Sequence, residues 1–333
     1  MAKSKSVLGI DIAGGGIKVV EFINENGRAR FRTFGFTENE DSANALANVE
    51  ASKLTLEKIF KEAHIKGGGI INAALPTQSV FSSIFTLPKM GKDEREKAIE
   101  LQIQKMIATP IAELEVASRE LGGMDSFDRI FFTAASKKVV ATYHDFFKTC
   151  KLTLNNLEIE SLAIIRALIG KDQGNNVLID FGKTRTNIVL VEKGIPVMSR
   201  SIKTGSEDAT KKLATSLGVA IEQAETMKQN LKTFPPILND FINTVTTEVR
   251  YLVNEWNAQS KQLRVIDKAI LTGGGARMAE MIQVLSDALK MRVYLGDPWA
   301  RVLYPQELRP LLDQMGPRLT VAVGLALRSI EEE

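Results

Sequence analysis

The amino-acid sequence contains very little of several residue types on which common chemistries depend. It has a single cysteine, Cys150, which excludes an intrachain disulfide and is typical of a protein from a reducing cytosol. Only two histidines are present, His64 and His144, and neither has a partner at the spacing of metal ligands. The formal net charge is only +3, so the chain lacks the basic field that binding to nucleic acid requires.

Long apolar segments are also missing. No run of about 18 consecutive apolar residues occurs, so the sequence predicts no membrane span. The first residues, MAKSKS, lead directly into a strand and lack the pattern of a signal peptide. The last residues, SIEEE, are acidic, and anionic lipid would repel them, which argues against a terminal membrane-binding helix. We therefore expect a cytoplasmic protein without an anchor of its own.

The sequence does contain an internal repeat. Residues 7–27 read VLGIDIAGGGIKVVEFINENG, and residues 177–196 read VLIDFGKTRTNIVLVEKGIP. Each copy is an apolar strand that ends near an aspartate, a loop with glycine, a second apolar strand and a turn. The turns, Asn26-Gly27 and Lys193-Gly194, suit a hairpin between antiparallel strands, and a third strand follows each of them. Two such units predict duplicated domains that face each other.

The segments around the repeats have the patterns of further α/β structure. Between the repeats, residues 80–157 predict a small separate α/β unit, in which a strand from Leu152 to Ile159 comes last. A strand from Lys268 to Leu271 leads through a glycine loop into a helix predicted from about Arg277 to Leu289. Further helices are predicted in the second half at 206–217, 219–232 and 237–259.

Two aspartates mark the candidate site. Asp11 and Asp180 each stand at the end of a buried strand, where a carboxylate can project into a cleft between facing lobes. Together they could hold Mg²⁺, directly or through water, beside the phosphates of a nucleotide. The loops beside them supply glycines for close backbone approach, a lysine and two hydroxyls, namely Gly14, Gly15, Gly16 and Lys18 in the first copy and Gly182, Thr184 and Thr186 in the second. The alternative is a pair of ordinary hairpin turns, and the duplication favours phosphate binding.

A third glycine loop, Gly273-Gly274-Gly275, follows the strand that ends at Leu271. Glycines between a strand and a helix place free N–H groups and the positive end of the helix at a ligand. A tight connection without a ligand is the alternative, and Gly67-Gly68-Gly69 shows that three glycines alone are not specific.

The three elements in this order, DIAGGGIK, DFGKTRTN and LTGGGA, resemble the phosphate-1, phosphate-2 and adenosine motifs of the actin, sugar-kinase and Hsp70 superfamily. Within it, the chain from about residue 7 to 330 resembles the PilM family of type IV pilus assembly proteins and, more distantly, the cell-division protein FtsA. The segments Asp297-Pro298-Trp299 and 316–328 carry the more specific part of this resemblance. It implies an α/β, actin-like (ribonuclease H-like) two-lobed fold with duplicated domains and a small inserted α/β subdomain.

The resemblance also implies a division of the chain into subdomains. Subdomain 1A would comprise residues 1–79 and 158–176, with subdomain 1C inserted at 80–157. Subdomain 2A would comprise residues 177–205 and 265–315, with subdomain 2B at 206–264. Residues 316–333 would form a C-terminal helix that returns to subdomain 1A.

When it is carried over residue by residue, the resemblance implies ATP and Mg²⁺ as ligands. The matched positions are Asp11 and Lys18 for phosphate-1, Asp180, Gly182 and Thr186 for phosphate-2, Gly205 at the start of the phosphate-side helix, and Glu225, Lys228, Gly273, Gly274 and Gly275 for adenosine. Glu160, in the segment from Glu158 to Ser161, is the candidate for positioning a hydrolytic water.

The first loop departs from the family pattern. Relatives commonly carry Ser or Thr there, whereas this chain has only glycines, so one hydroxyl contact to phosphate is missing. Lys183 and Arg185 add positive charge to the second loop, which either strengthens ATP binding or faces solvent.

The resemblance implies an adaptor rather than a metabolic enzyme. Such proteins bind the N-terminal cytoplasmic tail of the membrane protein PilN in a groove beside subdomains 1A and 1C, and they link the inner-membrane complex to the pilus motor ATPases. ATP would act mainly as a structural and conformational ligand, with at most slow hydrolysis. Two alternatives stay open at this point, a small-molecule kinase of the same superfamily and an FtsA-like filament at the membrane.

Overall fold

The computed structural model describes residues 6–37, 46–124, 126–259 and 263–331. Within these residues, strands and helices follow one another along the whole chain. The strands are β1 (Ser6–Ala13), β2 (Gly16–Glu25), β3 (Arg28–Phe36), β4 (Ile70–Leu75), β5 (Val80–Pro88), β6 (Leu114–Met124), β7 (Phe127–Ser136), β8 (Leu154–Ile159), β9 (Asn175–Phe181), β10 (Thr186–Glu192), β11 (Ile195–Ile202), β12 (Lys268–Thr272), β13 (Val293–Leu295) and β14 (Val302–Leu303). The helices are α1 (Val49–Glu62), α2 (Lys92–Met106), α3 (Lys137–Thr149), α4 (Glu160–Leu168), α5 (Ser206–Leu217), α6 (Ile221–Gln229), α7 (Asn239–Ala258), α8 (Met281–Leu289) and α9 (Arg309–Glu331).

Two large sheets repeat the same strand order. The first has six strands in the order β14-β3-β2-β1-β4-β8, and the second has five in the order β11-β10-β9-β12-β13. In each sheet three consecutive strands run antiparallel, and a later strand, β4 or β12, pairs in parallel with the first of them. The duplication predicted from the sequence repeat is therefore confirmed, and β1 and β9 occupy equivalent central positions.

The two predicted hairpin turns have the same conformation. Asn26 and Gly27 have φ angles of +54° and +80°, and Lys193 and Gly194 have φ angles of +52° and +77°. Positive φ at both central residues is the mark of a type I′ turn, whose twist matches that of the flanking antiparallel strands. Glycine, present in both turns, and the asparagine of the first turn adopt positive φ readily, whereas Lys193 adopts it at a steric cost.

A small antiparallel sheet, ordered β5-β7-β6, stands apart from the two large ones. Most of α2 is exposed over it, and Ile103 is the residue that this helix buries. The strand predicted from Leu152 to Ile159 does not belong to this unit. It forms β8, which begins at Leu154 and pairs in parallel with β4 of the first large sheet. The preceding helix α3 already packs Phe146 and Phe147 into the core of the first large sheet, so the chain has left the small sheet before β8 starts.

Helices α4 and α9 join the two large sheets. Gly9 and Gly324 allow very close packing, since a β-carbon at either residue would lie 1.9 Å from a backbone oxygen, that of Ala322 or of Ala163 respectively. One continuous apolar cluster contains residues from both helices and both sheets, namely Ala74, Ala163, Ile164, Ile165, Ile169, Leu178, Val189, Val191, Ile270, Val321 and Leu325. The two halves of the molecule therefore share a core.

The C-terminal helix α9 begins at Arg309, earlier than the predicted start at residue 316, and it contains Pro317 in its interior. A proline inside a helix leaves the carbonyl four residues before it without its usual donor. Here that carbonyl, of Asp313, accepts a hydrogen bond of 2.8 Å from Arg277 Nη1. The contact with Arg277 thus allows α9 to continue through Pro317, although a proline usually marks the first turn of a helix.

Candidate nucleotide-binding site

Asp11 and Lys18 face each other across the first hairpin. The β1–β2 register places them opposite one another, and Lys18 Nζ donates a hydrogen bond of 2.8 Å to Asp11 Oδ2. The two side chains are nearly buried, with 12% of Lys18 and 3% of Asp11 exposed. The other oxygen, Asp11 Oδ1, is buried and has no hydrogen-bond donor among the described residues. A buried polar atom without a partner is costly, so this oxygen is suited to a ligand.

Gly14 and Gly15 form the turn between β1 and β2, and Gly16 begins β2 with a φ of +112°. A β-carbon at Gly15 would lie 3.8 Å from Lys183 Cβ in the loop after β9. The two loops that the sequence repeat predicts as phosphate loops therefore meet at this point.

Asp180 lies near the end of β9, paired with Asn187 of β10 and Thr272 of β12. Asn187 Nδ2 is 3.5 Å from Asp180 Oδ2. Removal from water, followed by the negative charge of Asp11, raises the pKa of Asp180 to about 6. The carboxylates of the two repeats consequently lie within electrostatic range of each other.

The second loop is attached to the start of α5. Ser206 N and Glu207 N donate hydrogen bonds of 3.0 Å and 2.9 Å to the carbonyls of Gly182 and Lys183. A β-carbon at Gly205 would lie only 2.2 Å from the Lys183 carbonyl oxygen, so the position requires glycine. The first backbone donors of α5 are thus used inside the protein.

The threonines of this loop differ in their surroundings. Thr186 is fully buried, and its hydroxyl donates a hydrogen bond of 2.7 Å to the Thr204 carbonyl. Thr184 is partly exposed, as are Lys183 and Arg185. A ligand between the loops would therefore meet these three side chains before it met Thr186.

Glu225 and Lys228 are bound to each other on α6. Lys228 Nζ donates hydrogen bonds of 2.7 Å to Glu225 Oε2, 2.7 Å to Thr210 Oγ1 and 3.0 Å to the Ser206 carbonyl. Burial favours a higher pKa for Glu225, but the hydrogen bonds from Lys228 and Thr210 outweigh it and lower the pKa. This network attaches α6 to the first turn of α5, beside the second loop.

The third glycine loop packs against the second. A β-carbon at Gly273, where φ is +85°, would lie 2.4 Å from the Phe181 carbonyl oxygen, and one at Gly275 would lie 3.0 Å from Ser206 Cβ. Gly274–Arg277 forms a 3₁₀ turn, and α8 begins only at Met281. The helix predicted from about Arg277 thus starts later than expected, so its positive end does not follow the glycines directly.

Glu160 begins α4 and is buried. Its Oε2 accepts hydrogen bonds of 3.0 Å from Thr77 N and 3.2 Å from Thr77 Oγ1. Desolvation and then the charge of Asp11 raise the pKa of Glu160 to about 8, and Asp180 acts in the same direction. The structure therefore brings Glu160 within electrostatic range of both aspartates.

Three residues join this site that the sequence pattern did not single out. Thr77 holds Glu160, Asn187 approaches Asp180, and the buried Tyr143 has its pKa raised by desolvation and by the charges of Glu160 and Asp11. Asn187 stands in the matched segment DFGKTRTN, so its place in the motif could have suggested it. Thr77 and Tyr143 come from distant segments and give no local signal.

The residues present fit a magnesium–nucleotide complex in which the protein supplies only one or two carboxylate ligands. Among the described residues, no group of three or more His, Cys, Asp or Glu side chains is placed to hold a metal ion. Mg²⁺ in nucleotide sites usually takes one or two carboxylates and completes its shell with water and phosphate oxygens. The unpartnered Asp11 Oδ1 and the neighbouring Asp180 meet that requirement.

None of the helices in the described residues is long and apolar enough to cross a membrane.

Comparison with protein families matches residues 9–330 to the model described as type IV pilus assembly protein PilM. Among solved structures, the chain is similar to one described as the PilM-PilN type IV pilus biogenesis complex, with 21% identity, a TM-score of 0.83 and 98% of each chain covered. It is also similar to the MreB 5 protein of Spiroplasma citri bound to AMPPNP, with 11% identity, a TM-score of 0.56, and 99% of this chain and 98% of that chain covered. A third similar structure is the ethanolamine utilization protein EutJ from Carboxydothermus hydrogenoformans, with 16% identity, a TM-score of 0.55, and 97% and 89% covered. The predicted actin-like fold is therefore confirmed.

Proposed function

Since this chain belongs to the PilM family of type IV pilus assembly proteins, we propose that it is an ATP-binding scaffold of the pilus inner-membrane assembly complex. In this proposal it binds the N-terminal cytoplasmic tail of a PilN-like membrane protein and links that protein to the pilus motor. It would thus lie at the inner face of the cytoplasmic membrane through its partner. The observation that carries the proposal is the family match over residues 9–330, which includes both repeats and the small sheet between them.

The proposed partner site lies beside the small sheet. One similar structure is described as a complex of PilM with PilN, which supports a partner of that kind. The small sheet and α2 carry exposed apolar side chains, of which Leu101 is 59% exposed, Phe127 53% and Met106 41%. Exposed apolar side chains support a protein-binding role for this part of the molecule. The subdomain limits form part of the same proposal, except that the inserted subdomain ends before β8, which pairs with β4 of the first large sheet.

ATP is the proposed ligand of the site between the two halves. Asp11, Lys18 and the loop Gly14-Gly15-Gly16 would contact its phosphates from the first sheet. From the second half, the phosphates would contact Asp180, Gly182, Thr184, Thr186 and Gly205, and the adenosine would contact Glu225, Lys228, Gly273, Gly274 and Gly275. Mg²⁺, when bound, would neutralise phosphate charge, and Asp11 and Asp180 would hold it directly or through water.

We propose that ATP serves as a conformational ligand more than as a substrate. Glu160 is the residue that would position a hydrolytic water. In the site without ligand, burial and the charge of Asp11 raise the pKa of Glu160, which favours the protonated carboxyl group, and that form cannot accept a proton from water. We expect slow phosphate release that is equal in the wild type and Glu160→Gln, and release that disappears in Glu160→Gln would establish an ATPase.

The adaptor proposal is tested by fluorescence anisotropy. The full chain is titrated into a labelled peptide that carries the N-terminal cytoplasmic tail of its PilN-like protein, with and without MgATP. Saturable binding, absent for a scrambled peptide, is the expected result, and a change in affinity with MgATP would measure the coupling between the two sites.

Matched variants locate the peptide site. Leu101→Ser on α2 should weaken peptide binding, whereas Leu217→Ser on α5 should not, although the two leucines are similarly exposed, 59% and 50%. Absence of binding by the folded wild-type protein under both conditions would reject the adaptor proposal. A burst of ADP that depends on a small metabolite would then favour a kinase, and ATP-dependent sedimentation with lipid would favour a filament.

A further inference from the structure

The small sheet is attached to the first half of the molecule at one end. Its strand β5 starts at Val80, directly after the 3₁₀ turn Thr77–Ser79, and its strand β7 ends at Ser136, where α3 begins. Val80 pairs with Ala135, so both connections lie at the same end of the sheet. The opposite end lies far along the strands from these connections.

An ion pair fixes that opposite end to the second half. Arg129 lies in β7 opposite Thr86, which is about 20 Å along β5 from Val80 at the usual rise of a strand. Arg129 Nη2 donates a hydrogen bond of 3.1 Å to Oε2 of Glu192, the last residue of β10. The small sheet is therefore held by the first half at one end and by the second large sheet near the other.

Glu192 is positioned for this contact by its own half. Arg264 Nη1 lies 3.5 Å from Glu192 Oε1, while Oε2 accepts the bond from Arg129. Arg264 stacks on the ring of Trp256 at 4.1 Å, and its Nη2 donates a hydrogen bond to the Trp256 carbonyl. Trp256 is buried in α7. Because the carboxylate is already oriented, its pair with Arg129 costs less side-chain entropy than an ordinary surface pair does.

The turn at the attached end touches both the candidate nucleotide site and the second half. Thr77 N and Thr77 Oγ1 donate hydrogen bonds of 3.0 Å and 3.2 Å to Glu160 Oε2. Strand β11 packs against this turn and against β5. A displacement of one half against the other would therefore reach the small sheet at two points, the turn and the ion pair.

From this arrangement we infer that the Arg129–Glu192 ion pair is a latch that couples the proposed partner surface on the small sheet to ligand binding between the two halves. The inference rests on the proposed function and names the contact through which its two sites communicate. Phe127, which belongs to the proposed partner surface, stands two residues before Arg129 on the same side of β7. A change in the relative position of the halves alters the ion pair, and the ion pair sets the position of Phe127.

Fluorescence anisotropy with the full chain measures this coupling. The labelled tail peptide of the PilN-like protein is titrated with and without MgATP, and the coupling is the ratio of the two dissociation constants. In the wild type the ratio should differ from unity by about fivefold or more, and Arg129→Gln should bring it to within about twofold of unity. Glu192→Gln should act in the same way, and the double variant should lose no more than either single one.

Two further variants control for charge. Arg129→Lys keeps the cation and should retain most of the coupling. Arg119→Gln removes an exposed cation from the adjacent strand β6 and should keep the wild-type ratio. Calorimetry with MgATP checks that each variant still binds the nucleotide, and thermal melting checks that each is folded.

Spin labels measure the latch directly. In a Cys150→Ser background, labels at Ser118→Cys of β6 and Asn243→Cys of α7, both exposed positions, report the distance between the small sheet and the second half. Arg129→Gln should broaden the distribution of this distance, whereas Arg119→Gln should leave it unchanged.

The outcomes separate this inference from the proposed function. If the wild type binds both the peptide and MgATP with a ratio of unity, the inference is wrong while the proposed function stands. The inference is also wrong if Arg129→Gln keeps the wild-type ratio, if it loses the coupling without any change in the distance distribution, or if Arg119→Gln loses the coupling equally. If the folded wild type does not bind the peptide, the proposed function fails and the inference fails with it.

Discussion

Asp11 has two oxygens in different situations, and this difference makes it the most informative single residue of the site. One oxygen is paired with Lys18, and the other is buried without a donor among the described residues. A buried carboxylate in this arrangement costs stability unless something else satisfies it. A bound magnesium ion would offset this loss of stability by binding the unpartnered oxygen of Asp11.

Asp11→Asn should therefore reduce the stabilisation of the protein by MgATP. A tenfold loss of affinity lowers the ligand-induced stabilisation by about 1.4 kcal/mol at saturating ligand. The measurement is the shift in melting temperature with MgATP. Asp172→Asn is the control, since Asp172 pairs with Lys268 away from the loops, and its shift should equal that of the wild type. An unchanged shift in Asp11→Asn would remove Asp11 from the nucleotide site.

Glu160 should make the stability of the protein depend on pH in an unusual direction. Its pKa in the folded protein is raised to about 8 from an ordinary value of 4.5, so between these values the folded state holds a proton that the unfolded state has lost. The contribution of Glu160 to the free energy of unfolding is therefore fully present below pH 4.5 and is lost as the pH rises toward 8. Asp180, raised to about 6, contributes in the same direction over a lower range.

Glu160→Gln should flatten this dependence. The free energy of unfolding of the wild type, measured by chemical denaturation, should fall by roughly 1–3 kcal/mol between pH 5 and pH 8, at up to about 1.4 kcal/mol per pH unit. In Glu160→Gln the fall should be smaller. Glu100→Gln, an exposed change on α2, should retain the wild-type slope. A wild-type curve that rises over this range would contradict the raised pKa.

At the scale of elements, glycines decide how closely α4, α9 and β1 approach. Gly324 lies in α9, where alanine would be intrinsically preferred by about 1 kcal/mol. The backbone of Ala163 in α4 nevertheless occupies the space that a β-carbon would need. Packing between elements therefore outweighs the local preference of the helix at this position.

Gly324→Ala should destabilise the protein by about 1–3 kcal/mol or more, because α4 and α9 must separate. Gly68→Ala is the control, since a β-carbon there would have no neighbour within 4 Å and the backbone needs no positive φ. It should change stability by no more than about 0.5 kcal/mol. Denaturant midpoints of the two variants give the comparison, and equal midpoints would mean that the helices move apart without cost.

At the scale of the whole molecule, the two halves share an apolar core. The cluster that contains Leu178 and Ile270 of the second sheet also contains Ala74 of the first sheet and Leu325 of α9. Burial of apolar surface between the halves ties their stability together. The proposed role of ATP requires one half to move against the other. This shared core must stay packed during that movement.

Leu325→Ala should cost about 2–5 kcal/mol, the usual range for removing a fully buried leucine side chain. Because the cluster includes both sheets, the two halves should still unfold in one transition, at lower denaturant. Leu311→Ala, in the same helix but 44% exposed, should cost less than about 1 kcal/mol. Two separate transitions in the wild type would show that the shared core does not couple the halves.

The local sequence was sufficient for much of this structure. Strand patterns and the turns Asn26-Gly27 and Lys193-Gly194 predicted both hairpins, and their repetition predicted two sheets of equivalent order. These features depend on side-chain alternation and on the φ preferences of turn residues, which are properties of neighbouring residues. The chain's membership of its family was predictable for a similar reason, because its motifs are contiguous segments.

The tertiary structure alone decided the rest. The sequence did not reveal that β8 pairs with β4, that α8 begins only at Met281, or that α9 passes through Pro317. The pairing of β8 and the course of α9 each depend on a contact with a distant part of the chain, as when Arg277 bonds the carbonyl that Pro317 leaves free. The same holds for the meeting of Gly15 with Lys183 and for the raised pKa of Glu160. Distances and burial between remote residues arise only when the chain has folded, so no local pattern encodes them.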